Sequence, residues 1–101
     1  SSSAGNVILN ASGNVTQSAT GDISLTGSGK TLEVIAGGAI TMADGALSQT
    51  ANGNVSYQAG TSLAVGQIIA GTASVALVAT AGAITDADSN AGNDITAANL
   101  L

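Results

Sequence analysis

The chain reads Gly5-Asn6-Val7-Ile8-Leu9 near its start, and the same kind of unit returns along its whole length. Each copy places a glycine and a small or polar residue before apolar residues that lie two positions apart. The other clear copies are Gly21-Asp22-Ile23-Ser24-Leu25, Gly38-Ala39-Ile40-Thr41-Met42, Gly53-Asn54-Val55-Ser56-Tyr57 and Gly82-Ala83-Ile84-Thr85. A period of two is typical of a β-strand, whose successive side chains face opposite sides. The sequence therefore predicts many short strands and no sustained helix.

The leading apolar residues of these units fall into three columns when they are taken in threes. The columns hold Val7, Leu32, Val55 and Val75; Val15, Ile40, Leu63 and Ile84; and Ile23, Leu47, Ile68 and Ile95. Steps within a column run from 20 to 27 residues. This register predicts an all-β fold, a right-handed parallel β-helix (β-solenoid) of about four coils, each with three short strands. Leu100-Leu101 would start a fifth coil.

The repeat includes one longer match, and two further expectations follow from it. A longer echo matches residues 15–19 with residues 47–51. Glycine and asparagine are expected in the turns, because both tolerate a positive φ at little cost. Met42 and Tyr57 are expected to be larger core residues that fill a wide part of a coil.

The composition excludes several classes of partner. The chain has Lys30 as its single basic residue against six carboxylates, for a net charge of −5. Nucleic-acid binding needs clustered Lys and Arg, so we expect no nucleic-acid partner. Residues 63–84 carry no charge and are long enough for a membrane helix. They also contain Gln67 and three glycines and lack flanking aromatic residues, so we expect no membrane insertion.

Three segments resemble the repeats of a known family. They are Gly5 to Ala11, Ala81 to Asp86 and Asp94 to Leu100, and they are similar to the repeats of filamentous-haemagglutinin-like giant adhesins. The resemblance implies a secreted β-helix shaft that is extracellular, on a Gram-negative bacterial surface. It brings no active-site residue, because the shaft repeats have none. We expect residues 1–101 to be a single solenoid segment cut from a longer chain, since neither terminus shows an amphipathic capping helix.

One polar cluster, residues 86–94, is a candidate calcium loop. Its possible oxygen ligands are Asp86, Asp88, Asn90 and Asp94. The EF-hand pattern needs glycine at its sixth position and glutamate at its twelfth, where this chain has Ala91 and Ala97. A solvated loop is the alternative interpretation, and no other cofactor is expected.

Catalytic chemistry has little support in the sequence, so we expect no enzyme. The chain has no His to serve a nucleophilic serine as a base. Asp86 and Asp88 have no Arg, His or aromatic platform that would support glycoside cleavage. Ice binding is a minor alternative, because it expects a regular threonine array, whereas Thr16, Thr41, Thr85 and Thr96 alternate irregularly with Ser and Ala.

The sequence thus favours a structural shaft, a rigid spacer that serves cell adhesion by presenting a distant binding domain. One alternative is a glycan- or calcium-binding solenoid module that contacts a host surface. Another is a filament that assembles end to end. The expected partners are flanking repeats of the same protein or further copies of this chain.

Overall fold

The computed structural model describes residues 5–86 and 95–100, and within those ranges all regular structure is β-strand. The strands are β1 (Val7–Ala11), β2 (Val15–Gln17), β3 (Ile23–Ser28), β4 (Leu32–Ala36), β5 (Ile40–Met42), β6 (Leu47–Ala51), β7 (Val55–Ala59), β8 (Leu63–Val65), β9 (Gln67–Ile69), β10 (Ser74–Ala79), β11 (Ile84–Asp86), β12 (Ile95–Thr96) and β13 (Asn99–Leu100).

Three parallel sheets form the walls of a solenoid. The first sheet has the order β1-β4-β7-β10-β13, the second β11-β8-β5-β2 and the third β12-β9-β6-β3. Each strand therefore pairs with the strand that occupies the same place one coil later. The predicted parallel β-solenoid of about four coils is confirmed, and β13 opens a fifth coil beside β10.

The stretch that is apolar enough for a membrane helix takes part in this solenoid. Residues 63–84 contain β8, β9, β10 and the first residue of β11. No helix among the described residues is long and apolar enough to cross a membrane.

Two of the three predicted columns are confirmed residue by residue. Val7 pairs with Leu32, Leu32 with Val55, and Val55 with Val75. In the second sheet, the pairs Val15↔Ile40, Ile40↔Leu63 and Leu63↔Ile84 make the predicted column. Like side chains thus stack on like, and each coil covers an apolar face that its neighbour leaves open.

The third column was wrong at one position. Ile23 pairs with Ser48, and Ser48 pairs with Ile68, so Ser48 and not Leu47 faces the interior. Ser48 is completely buried, whereas Leu47 is half-buried on the other side of β6.

The reason for this error is that β6 buries its polar side. Ser48 is hydrogen-bonded to Tyr57 and to Gln17 inside the solenoid. The next inward residue, Thr50, donates to the carbonyl of Gly53 at 2.6 Å and accepts from its N–H. Since both hydroxyls are satisfied, burying them costs little. A prediction from apolar residues alone places the side of β6 that carries Leu47 in the interior, and this is the opposite of what the structure shows.

The interior is built in layers that follow the strand positions. Four residues further along the strands of the first sheet runs a column of alanines, Ala11, Ala36, Ala59 and Ala79. Met42 and Tyr57 are fully buried, which confirms that they are core residues. The small alanines leave the chain room to turn into the second sheet directly after the first.

Glycines and asparagines in the turns serve mainly purposes other than a positive φ. Among the described residues, a positive φ occurs at Asn52, Gly29, Gly45 and Gly71. Close packing of the backbone explains other glycines. A Cβ atom added to Gly53 would lie 1.9 Å from the carbonyl oxygen of Lys30 in the preceding coil.

Asparagine and aspartate side chains connect one coil to the next. Asn14 Oδ1 accepts a hydrogen bond from the N–H of Ala39 at 2.8 Å, and Asp22 Oδ1 accepts one from the N–H of Leu47 at 3.1 Å. The same contact is made by Asn6 to Thr31, Asn52 to Thr72, and Asn54 to Ser74. We call these contacts the inter-coil caps. Each satisfies a main-chain N–H at a place where the strand ladder is interrupted by a turn.

We expect Gly53→Ala to lower the free energy of unfolding by about 3 kcal/mol, because the added methyl group forces two backbone segments apart. Urea denaturation followed by far-UV circular dichroism measures this change. Gly13→Ala is the matched control, since a Cβ there meets nothing within 4 Å. Equal stability of the two variants would contradict the close packing between coils.

We expect Asn14→Ala to lower the free energy of unfolding by about 1 kcal/mol, because the N–H of Ala39 loses its acceptor. Asn10→Ala is the control, as Asn10 is exposed on the outer side of β1, and its effect should stay within about 0.5 kcal/mol. The same urea titration measures both. If Asn14→Ala proved as neutral as Asn10→Ala, the inter-coil caps would have no energetic role.

Candidate functional site

The predicted calcium loop falls almost entirely outside the described residues. Asp86 is the last residue of β11, and its backbone pairs with Val65. Its side chain, and all of Asp88, Asn90 and Asp94, lie outside what the structure describes. In the described part, no group of three or more His, Cys, Asp or Glu residues is placed to hold a metal ion. The calcium loop therefore stays a prediction.

Three of the four threonines considered for ice binding lie in one column on the outer side of the second sheet. Thr16, Thr41, Ala64 and Thr85 are register partners there, so only Ala64 interrupts the column. Thr96 is in the third sheet, where it pairs with Ile69. Each of β2, β5, β8 and β11 has three residues and presents one side chain outward, so a second column cannot lie beside the first within these strands.

In the described part of the chain, a cavity lies at the first coil. It has a volume of about 210 Å³. Most of its wall is apolar: Leu9, Val15, Ile23, Val34 and Ile40. Val34 and Ile40 are buried in the second coil, whereas Leu9 is 39% exposed in the first. The cavity therefore opens on the side of the first coil that faces away from the second coil.

A polar group lies at the inner side of this cavity. Gln17 and Tyr57 both line it, and Ser48 lies behind them. We call these three residues the polar trio. They come from β2, β6 and β7, which belong to three successive coils and to the three different sheets. All three are buried, with Gln17 the most accessible at 7% exposure.

The hydrogen bonds within the polar trio run in one direction, because each hydroxyl has a single proton to donate. Gln17 Oε1 accepts from Ser48 Oγ at 3.2 Å, and the Ser48 and Tyr57 hydroxyls are hydrogen-bonded to each other. Because each hydroxyl has one proton, Tyr57 donates to Ser48 when Ser48 donates to Gln17. Gln17 Nε2 in turn donates to the carbonyl oxygen of Leu47 at 2.9 Å. The longer contact from Tyr57 to Gln17 Oε1, at 3.4 Å, is the weaker route.

Burial raises the pKa of the Tyr57 hydroxyl above its usual value of 10.0. The phenolate would lose its hydration in the lumen, and the hydrogen bond with Ser48 opposes this effect only in part. Tyr57 therefore stays a neutral donor and acceptor throughout the physiological pH range.

No family model, curated protein or solved structure matches the chain. What the site can do must therefore be argued from its own residues.

Sequence analysis missed the trio because the three predicted inward-facing columns contain only apolar residues. One signal could have indicated it. Tyr57 is the only aromatic residue, and a buried tyrosine hydroxyl needs a hydrogen-bonding partner. An inward polar residue on a neighbouring strand should therefore have been expected. The sequence does not tell which residues supply it, because Gln17 and Ser48 are 31 residues apart.

The stability of the protein should fall at alkaline pH because of Tyr57. Its pKa is raised in the folded state, so its contribution is fully present below the unfolded value of 10.0. That contribution is lost as pH rises from there through the folded pKa, at up to about 1.4 kcal/mol per pH unit. Urea denaturation at pH 8 to 12 measures this loss.

Tyr57→Phe is the control for this experiment, because it removes the ionisable group and keeps the ring. The variant should be less stable at neutral pH by about 1 kcal/mol, since Ser48 loses a partner. Its alkaline decline should be shallower than that of the natural chain. Parallel declines in the two proteins would show that Tyr57 does not cause the loss.

Proposed function

We propose that this chain is a structural spacer, a stretch of the shaft of a secreted bacterial surface adhesin that holds a distant binding domain away from the cell. The observation that carries the proposal is the parallel pairing of strands from neighbouring coils along all three sheets of the described solenoid. A spacer needs a form that transmits position without bending, and continuous hydrogen-bond ladders along three walls provide it.

The interior adds to this rigidity. Fully buried residues such as Leu32, Val55 and Leu63 continue from coil to coil in register. Each coil is held by its neighbours and cannot bury its apolar face alone. Such an arrangement resists local opening along its length, as a load-transmitting rod requires.

The ends of the described solenoid support stacking with flanking repeats. Inward-facing Leu9 in the first coil is 39% exposed, and inward-facing Ile84 in the fourth is 48% exposed. Leu100, which begins the fifth coil, is 58% exposed. Another coil with the same pattern would cover these side chains as the middle coils cover one another.

The chemistry of the chain favours this role over catalysis. The sequence has no His, Cys or Arg and carries a single Lys, so few of the usual acids, bases and nucleophiles are present. The resemblance of Gly5 to Ala11 to filamentous-haemagglutinin-like repeats supports an extracellular location on a bacterial surface. Adhesion itself then belongs to other parts of the parent protein.

Single-molecule stretching tests the spacer role. The chain is held by tags at its two termini and extended at constant speed. We expect resistance followed by abrupt lengthening in multiples of about 70–95 Å, the extended length of one coil of 20 to 27 residues. Gly53→Ala should open at lower force than Gly13→Ala, because its coils pack less closely. Smooth extension at low force would show a flexible linker and refute the proposal.

A glycan array, probed with and without calcium, separates the spacer from a binding module. The spacer proposal expects no glycan retained under either condition. Retention that requires calcium would instead favour the alternative in which residues 86–94 form a functional loop.

A further inference from the structure

We propose that the cavity at the first coil is a binding site for a small aliphatic molecule that carries one hydroxyl group. In a longer shaft a preceding coil would compete with the ligand for this cavity, so the inference concerns the first coil when no other coil covers it. It rests on the size of the cavity, its apolar lining and the hydrogen-bonding capacity that the polar trio leaves unused.

The size of the cavity sets the size of the ligand. Its volume is about 210 Å³. An engineered apolar cavity of about 150 Å³ in another protein stays dry and holds benzene. The lumen of this chain therefore has room for a six-membered ring with a substituent, or for a branched chain of similar bulk.

The lining sets the chemical class. Val15, Ile23, Val34 and Ile40 surround most of the space with aliphatic groups. The chain contributes no charge to the lining, so an ionised ligand would lose hydration without gaining a partner. An uncharged, mainly aliphatic ligand suits these walls.

The polar trio adds one hydrogen-bonding position. When Tyr57 donates to Ser48 and Ser48 donates to Gln17, the Tyr57 oxygen retains a lone pair. Gln17 Nε2 retains its second proton after donating to Leu47. A ligand hydroxyl can donate to the Tyr57 oxygen and accept from this Gln17 proton. One hydroxyl therefore completes the trio, which a hydrocarbon cannot do.

Water alone fits the site less well. A water molecule beside the trio would find Gln17 and Tyr57 as partners, whereas buried waters usually make about three hydrogen bonds. Much of the remaining space is lined by aliphatic side chains, which offer water nothing, although Thr16 and Ser18 also line the cavity. An aliphatic alcohol fills both parts of the cavity with a single molecule.

The fluorescence of Tyr57 measures ligand binding in the cavity. It is the only aromatic residue of the chain, so tyrosine fluorescence reports on the lumen alone. Cyclohexanol is the probe, because it neither absorbs nor emits in this range. We expect a saturable change in Tyr57 fluorescence with a dissociation constant in the millimolar range, as suits a ligand of this size. We also expect reduced quenching of Tyr57 by acrylamide.

Two isoleucines of the first coil give a matched pair of variants. Ile23→Phe places a larger side chain in the cavity and should abolish the saturable change. Ile8→Phe makes the same substitution on the outer side of β1, where Ile8 is 65% exposed, and should leave binding unaltered. Far-UV circular dichroism establishes that both variants are folded.

The hydrogen bonds between the ligand hydroxyl and the polar trio are tested by changing the protein and, separately, the ligand. Gln17→Met keeps a long inward side chain and should weaken cyclohexanol binding about tenfold. Cyclohexyl methyl ether, which has no proton to donate, should bind the natural chain several-fold more weakly. The ether keeps this test decisive even if Gln17→Met does not fold.

Two results would overturn the proposal. The first is the absence of a saturable response, or a response that persists undiminished in Ile23→Phe. The second is protection of Tyr57 that grows with protein concentration in the absence of alcohol, together with increased light scattering. In that case another copy of the chain occupies the end of the lumen.

Discussion

Main-chain hydrogen bonding between each residue and its counterpart one coil later is the constraint on which this structure depends. Because the partner lies 20 to 27 residues further on, side chains of successive coils must stack on one another. Stacked positions favour similar shapes, which explains columns such as Val7, Leu32, Val55 and Val75. The same constraint explains Gly53, where the backbones of two coils come too close for any side chain.

The polar trio and Thr50 interrupt an otherwise apolar described interior, and the trio is a costly feature to break. Gln17, Ser48 and Tyr57 satisfy one another in a lumen that offers few other partners. In such surroundings a complete network rigidifies the core, whereas an incomplete one leaves a buried group unpaired. Because the three residues come from three sheets, the network also fixes how the walls are placed relative to one another. A structural role and an unused hydrogen-bonding capacity can therefore coexist at Gln17.

Sequence periodicity predicted the architecture because stacking imposes it on every coil. Val15, Ile40 and Leu63 could be assigned to one column before any coordinates, since each leads a similar unit. Periodicity failed at Leu47, where the apolar residue lies outside and Ser48 inside. It failed because Ser48 can face the interior only when its hydroxyl finds a partner, and that partner is Tyr57, a residue in another coil. The cavity could not be predicted either, as its lining combines residues from three coils.

The inter-coil caps give the solenoid a polarity. In each described cap, the acceptor side chain lies in the earlier coil and the N–H that it receives lies in the later one, as with Asn14 and Ala39 or Asn54 and Ser74. The two ends are therefore chemically different, one offering acceptors and the other donors. Two like ends placed together by a two-fold axis would set acceptor against acceptor or donor against donor. End-to-end association that repeats these cap contacts would be heterologous, and heterologous contacts that do not close into a ring generate open, directional fibres.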